Sequence, residues 1–489
     1  VGHRALLILA GLLALAALAA VPSAAAAATP RPIVYVIVID GLSPARVDMA
    51  RAPNLTRLLS GRGANTTRYD QSRSIMPAQT NPNHVAMLTG AYAGDSGILA
   101  NRFALYAPLA GPESCRPTGP MNFAALPTVT TGETAQCLRA QTVFGAIKAQ
   151  GNPDRLRTSA VFGKPKLARI FFGTGVDMLW APCTRGPSGD RSYCEQVETT
   201  GSDSAARDSI VMDEVLEQAS SRNRPDYTFV NLPTVDNEGH RHGVGPEYDA
   251  AIRAADAEIG RLVSRLRARG EWRRTVLTVL SDHAMLSTPD QRRLADNFQA
   301  AGIQSSAALI FGGTPPGFVY LADRTSPNRF ELLRRMRRAA LSNPVVHEVL
   351  YREPNPRDGG RRHTVRSVHP TWRANGRGTP DLFVIPKPPG VLTDPGTAAV
   401  PGTHGTQFTR HNFFAVISGG RAVRQQRIRG RAAPDFDDTA TNPRQSENVD
   451  VAATVSRLFG LRPPRNSRGR FLREAFNLNA LPGRGRRAR

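Results

Sequence analysis

Three aspartates, three histidines and a threonine are spread along this chain at the ends of apolar runs. Asp40 closes IVYVIVID, Asp282 and His283 close TVLTVLSDH, and Asp236 and His240 follow the run YTFVNL in YTFVNLPTVDNEGH. His404 lies in PGTHGT, and Thr80 in MPAQTNPNHVAMLTG. Imidazole nitrogens and carboxylate oxygens are the donors zinc takes, in near-tetrahedral sites that keep a position open for substrate. A hydroxyl beside such ions has its pKa lowered and becomes a nucleophile near neutral pH. The chemistry indicated is hydrolysis of phosphate esters with two metal ions and a covalent step.

The elements that must position these residues read as alternating strands and helices. Continuous apolar, β-branched runs at Ile33–Ile39, Thr228–Leu232, Thr275–Leu280, Gly317–Leu321, Leu382–Ile385 and Phe413–Ile417 predict strands buried on both faces. Helical spacing over Ala205–Ser220 and Glu247–Arg269 falls between them. The expected fold class is therefore α/β, a mostly parallel central sheet flanked by helices, with loop-rich insertions. Ligands of such sheets lie beyond the carboxyl ends of the strands, which is where Asp40, Asp236 and Asp282 would sit. Asp236 and His240, four apart, would share one face of a helical turn. Pro82 follows Thr80 closely, so Thr80 is expected at or just before a helix N-terminus, an end that carries free N–H groups and welcomes anions. A capping threonine in an ordinary turn is the plainer alternative for that residue.

The strings QTNPNHVAMLTG and, shortly after, GILAN resemble the nucleophile region of the nucleotide pyrophosphatase/phosphodiesterase branch of the alkaline phosphatase superfamily. Asp40-Gly41, the Asp236-to-His240 segment, the Asp282-His283 pair, Gly-Thr-His-Gly around His404 and the run VDVAATVSRLFGL match in the family's order, from about Pro32 to Leu461. The resemblance implies an alkaline phosphatase-like fold and two zinc ions, with other divalent metals possible. It assigns Asp40, Thr80, Asp282 and His283 to one ion, and Asp236, His240 and His404 to the other. It makes Thr80 the nucleophile, through a phosphothreonine intermediate, and Asn101 a donor to a non-bridging phosphate oxygen. Two ions about 4 Å apart would clamp the attacking and leaving oxygens. The chain departs from the pattern after His283, where Ala284 stands in place of glycine, and after His404, where Gly405-Thr406-Gln407-Phe408 replaces a Gly-Tyr-Asp-Asn. Those changes spare the ligands and leave the leaving group open, so a phosphomonoesterase on the same site is the alternative to a phosphodiesterase.

Composition bounds the rest. His3 and Arg4, an apolar run from Ala5 to Ala20 and small residues around Ser23–Ala28 read as a secretory signal over residues 1–28, with an uncleaved anchor as the alternative. A bacterial, secreted or extracytoplasmic chain without a stable membrane span after cleavage is expected. Residues 29–463 would form the catalytic domain, with 104–203 a disulfide-containing insertion or lid and 325–380 a second insertion; 464–489 would be a basic tail. Cys115, Cys137, Cys183 and Cys194 suit an exported protein, and pairing Cys115–Cys137 and Cys183–Cys194 closes local loops. The net charge of +23, nearly all arginine, favours anionic partners. It comes without a recognition motif, so a small anionic phosphate ester is expected as partner and specific nucleic-acid recognition is not. A non-catalytic polyanion-binding protein is the remaining reading. A sulfatase lacks its Cys/Ser-x-Pro-x-Arg motif here, and a serine hydrolase its G-x-S-x-G elbow. His84 reads as a packed support for the nucleophile turn, and His242 as structural or lining the site.

Overall fold

The computed structural model describes residues 31–105, 128–130, 137–151, 155–182, 205–313, 315–376, 378–394, 400–430 and 445–481. Contacts divide the chain into Val1–Arg31 and Pro32–Arg489, and every element below belongs to the second unit. The signal segment, Cys115, Cys183 and Cys194 lie outside the described residues.

In chain order, the central sheet and its covering helices begin with β1 (Ile33–Ile39), β2 (Asn65–Tyr69), α1 (Thr80–Thr89), β3 (Thr158–Phe162) and β4 (Met178–Trp180). They continue with α2 (Ala205–Ser220), β5 (Tyr227–Leu232), α3 (Thr234–His242), α4 (Pro246–Ala268) and β6 (Thr275–Leu280). A smaller sheet follows, made of β7 (Ala308–Phe311), β8 (Gly317–Leu321), β9 (Val346–Tyr351) and β10 (Leu382–Pro386), with helix α5 (Arg329–Leu341) against it. The chain then returns with β11 (Phe414–Ser418), β12 (Gln426–Ile428) and α6 (Asp450–Leu458). The large sheet runs β12-β2-β11-β6-β1-β5-β3-β4. From β6 to β4 all pairings are parallel, whereas β11 is antiparallel to both β6 and β2.

Alternation along β1 shows why the sheet is buried on both sides. Val34, Val36 and Val38 join one apolar cluster with Val85, Ala86, Met87 and Leu88 of α1. Ile33, Tyr35, Ile37 and Ile39 join another with Ile252, Ile259, Leu262 and Leu266 of α4. Each such side chain withdrawn from water contributes roughly 1.5–3 kcal/mol, and the run stays apolar because neither face meets solvent.

Three expectations change. The strands at Gly317–Leu321 and Leu382–Ile385 lie in the separate, antiparallel sheet, over a third apolar cluster, because a short apolar run does not reveal which sheet it joins. The stretch 104–203, read as an insertion, supplies β3 and β4 to the large sheet, and 325–380 holds α5 and β9 rather than irregular chain. The segment after residue 463 is not a free tail over its first half, since Leu472, Ala475 and Phe476 are buried in the core. No described helix is long and apolar enough to cross a membrane.

Candidate active site

The carboxyl edge of the parallel strands gathers every sequence-predicted site residue. Asp40 follows β1, Asp282 and His283 follow β6, and α3, directly after β5, carries Asp236 and His240. His404 follows the two-residue strand Gly402–Thr403, which pairs with Leu286–Ser287 just beyond β6. Thr80 is the first residue of α1 and is 1 % exposed. Gly41 adopts φ +76°, and a Cβ there would stand 3.0 Å from the Asp236 Cα, so glycine lets the Asp40 and Asp236 backbones meet.

His283 is the centre of the group. Its Nε2 lies 3.2 Å from Asp282 Oδ2, 3.6 Å from Asp40 Oδ1 and 3.5 Å from Thr80 Oγ1. Its ring stacks on His404 with centroids 3.4 Å apart. Asp236 Oδ1 lies 3.4 Å from His240 Nε2 and 3.5 Å from His404 Nε2. Among the described residues, Asp236–His283–His404 and Asp40–His84–Asp282 each bring their ligand atoms within 4.8 Å of one another, and these triads cut across the two expected ligand sets. His84 is ill suited as a ligand because both its ring nitrogens are engaged. Nδ1–H donates to the Thr80 carbonyl at 2.9 Å, and Nε2 accepts from Asn231 Nδ2 at 3.1 Å. Burial, opposed in part by Asp282, pulls the His84 imidazole down to about 4.

The donor set fits a cation. His283, His404 and His240 each place Nδ1 against a backbone carbonyl, of Ala284 at 3.1 Å, Ala78 at 2.8 Å and Gly402 at 2.9 Å. A carbonyl only accepts, so Nδ1 carries a proton and Nε2 is the nitrogen that faces the carboxylates, with a lone pair to offer a cation in the neutral ring. The same anchoring orients imidazoles that ligate metals. Asp40 Oδ1, Asp236 Oδ1 and Asp282 Oδ2 are buried without a hydrogen-bond donor. Lone pairs facing lone pairs in a buried site are costly unless a positive charge lies among them. Burial, then the neighbouring Asp282, pushes the Asp40 carboxyl up to about 7. Against burial, Lys164 and the histidines hold Asp236 well below the usual carboxylate range. Burial and His283 lower His404.

Lys164 is the functional residue that sequence reasoning missed. It follows β3, and its ammonium donates to Asp236 Oδ2 at 2.7 Å, pairs with Asp40 Oδ2 at 2.8 Å and lies 3.5 Å from Thr80 Oγ1. Burial opposes its charge, but Asp236 and Asp40 outweigh burial and raise its pKa. The available signal was an apolar TSAVF run followed by Gly163-Lys164, the same strand-then-ligand pattern as at Asp40. Asn101 is also placed for work. Its Oδ1 accepts from Asn81 N–H at 2.8 Å and its own N–H donates to Gln79 Oε1 at 2.7 Å, which leaves its Nδ2 beside the first turn of α1. Gln79 also reaches the second sheet, donating to the Pro315 carbonyl at 2.8 Å. His242 instead pairs with Glu238 at 3.4 Å.

The fold, a mostly parallel central sheet flanked by helices, is alkaline phosphatase-like. Residues 34–406 match the family described as type I phosphodiesterase / nucleotide pyrophosphatase, and the chain belongs to that family. Murine ectonucleotide pyrophosphatase / phosphodiesterase 5, solved in complex with AMP, shares the fold with a TM-score of 0.60 and 14 % identity, over 89 % of this chain and 96 % of that one. The alkaline phosphatase PafA aligns with a TM-score of 0.59 and 15 % identity, over 92 % of this chain and 100 % of its own. Phosphonoacetate hydrolase from Sinorhizobium meliloti aligns at 0.56 with 19 % identity, over 86 % and 95 %. No curated protein sequence matches the chain.

Proposed function

We propose that this protein is a zinc-dependent phosphodiesterase that works through a phosphothreonine on Thr80. The observation that carries the proposal is the set of three imidazoles whose Nε2 atoms face donor-less carboxylate oxygens around the Thr80 hydroxyl. Asp40, Asp282, His283 and Thr80 would hold one ion, and Asp236, His240 and His404 the other. When bound, such ions polarise the phosphoryl oxygens, lower the pKa of the attacking hydroxyl and balance charge on the leaving oxygen.

The chain's own groups supply the rest. Thr80 Oγ1 attacks phosphorus in line, the new O–P bond forms as the bond to the leaving alcohol breaks, and water then hydrolyses the phosphothreonine. Asn101, whose Oδ1 is taken by the Asn81 N–H, would offer its Nδ2 to a non-bridging oxygen. The family supports a small phosphate ester as substrate, and a nucleotide as one half of it.

Lys164 favours a second reading. An ammonium 3.5 Å from the nucleophile adds a positive charge where the transferred group must sit, and a monoester brings one more negative charge there than a diester. Export of the chain, and pairing of Cys115–Cys137 and Cys183–Cys194, complete the proposal.

The test is hydrolysis of p-nitrophenyl phosphate and bis-p-nitrophenyl phosphate by purified protein with zinc, with chelator, and as Thr80→Ala. Diester turnover lost in both controls is expected. A monoester preference with the same losses selects the second reading, and no metal-dependent turnover of either ester overturns both.

A further inference from the structure

Asn231 stands out in the core because its position on β5 calls for an apolar side chain. Tyr227, Phe229 and Asn231 alternate onto the sheet face that packs α1, and all three are fully buried. A primary amide there costs free energy unless it is hydrogen-bonded, and since its Oδ1 is buried without a partner, the reason for its presence lies with the partners of its Nδ2.

Those partners lie on the two halves of the reacting site. Asn231 Nδ2 donates to Asp40 Oδ2 at 2.9 Å and to His84 Nε2 at 3.1 Å. His84 Nδ1–H continues to the Thr80 carbonyl at 2.9 Å. Since the carbonyl can only accept, the imidazole is the Nδ1–H tautomer, and its Nε2 is free to accept from the amide. The Asn231 backbone carbonyl accepts from Gly163 N–H at 3.0 Å, next to Lys164. One central-strand residue therefore touches the Asp40 carboxylate directly, the nucleophile through one imidazole, and the lysine through one peptide.

We propose that Asn231 is a positioning residue of the phosphoryl-transfer site, which holds Thr80 and Asp40 in register through His84. The proposal rests on the hydrolase reading above. Displacement of a nucleophile by about 1 Å costs about 10²-fold in rate, so a short hydrogen-bonded chain across the site is enough to matter.

Two measurements test it, both on the zinc-supplied full chain. In steady-state kinetics, Asn231→Leu, of similar size but without donors, is expected to lower kcat roughly tenfold or more with little change in KM. His84→Leu should do the same, and the double variant should lose little more than either single one, as for residues that act as a unit. A kcat within twofold of wild type, or fully additive losses, overturns the proposal. If Asn231→Leu does not fold, Asn231→Ser, whose hydroxyl is too short to span both acceptors, is read in the same way.

The second measurement is ¹⁵N NMR of histidine-labelled protein, which needs no turnover. His84 is expected as the Nδ1–H tautomer, with an Nε2 signal that moves downfield in Asn231→Leu as its donor is lost. An Nε2 signal that does not move overturns the chain of hydrogen bonds. A wild-type protein inert to both esters removes the hydrolase reading and the positioning role together, and the nitrogen signal separately records whether the chain exists.

Discussion

The Lys164 ammonium lies 3.5 Å from the Thr80 hydroxyl, the same distance that separates Thr80 from His283 Nε2. The proposed nucleophile thus has a buried ammonium from just beyond β3 and a histidine from just beyond β6 at equal distance. A monoester carries one more negative charge than a diester, so the lysine should matter more to the monoester. Lys164→Met is expected to lower kcat/KM for p-nitrophenyl phosphate by about 10²-fold or more, the cost of losing one transition-state donor. For the bis ester the loss should be clearly smaller. Equal losses would assign Lys164 to orienting Asp40 and Asp236 rather than to charge.

Metal removal should be felt in stability as well as turnover. Three buried carboxylate oxygens lack donors, so a bound cation stabilises the folded chain over the unfolded one. Chelator is expected to lower the Tm by several degrees, and added zinc to restore it. Asp236→Asn should show a reduced zinc effect. An unchanged Tm on chelation would count against a buried ion at these residues.

Gly405 predicts a backbone effect. It adopts φ +126°, and a Cβ there would stand 1.7 Å from the Pro315 carbonyl oxygen. Gly405→Ala combines a conformation alanine avoids with a backbone collision, so a loss of at least about 1–3 kcal/mol in urea unfolding is expected. His404 is the adjacent residue, and activity should fall with stability. A fully stable Gly405→Ala would show that this loop yields easily.

Asp450, at the start of α6, gives a pH signature of its own. Burial, opposed by the Arg470 N–H, pushes its carboxyl up to about 7 from an ordinary 3.8. The folded chain therefore keeps a proton that the unfolded chain releases. Between about pH 4 and pH 7 the unfolded state binds fewer protons, so this group's contribution to stability falls as pH rises, and is flat on either side. Asp450→Asn should remove that slope, read as the difference in Tm between variant and wild type across the range. Parallel curves would refute the assignment.

Much of the candidate site was legible because the residues proposed as ligands end strands that announce themselves. Runs such as Ile33–Ile39 and Thr275–Leu280 are apolar without interruption, since both sheet faces are covered, so the polar residue at each end is conspicuous. Asp40 and Asp282 stand out for that reason. Thr80 was marked by the proline two positions on, and the helix begins at Thr80. Lys164 and Asn231 were not legible. Lys164 follows β3 in a stretch rich in Gly, Pro and Thr that hid a core strand. Asn231 looks like one more strand residue until its partners on β1's end and α1 are known.

The sequence by itself determined local matters: many of the strands and helices, such as Ile33–Ile39 and Thr275–Leu280, and which side chains have metal-binding chemistry. These follow from periodicity and residue type over a few neighbouring positions. Only the tertiary structure decided which strands share a sheet, as Gly317–Leu321 and Leu382–Pro386 show by leaving the central one. It alone placed a lysine against Asp40, Asp236 and Thr80, and an asparagine between Asp40 and His84. Those contacts span tens to hundreds of residues in sequence and are set by strand order and packing, which no local pattern encodes.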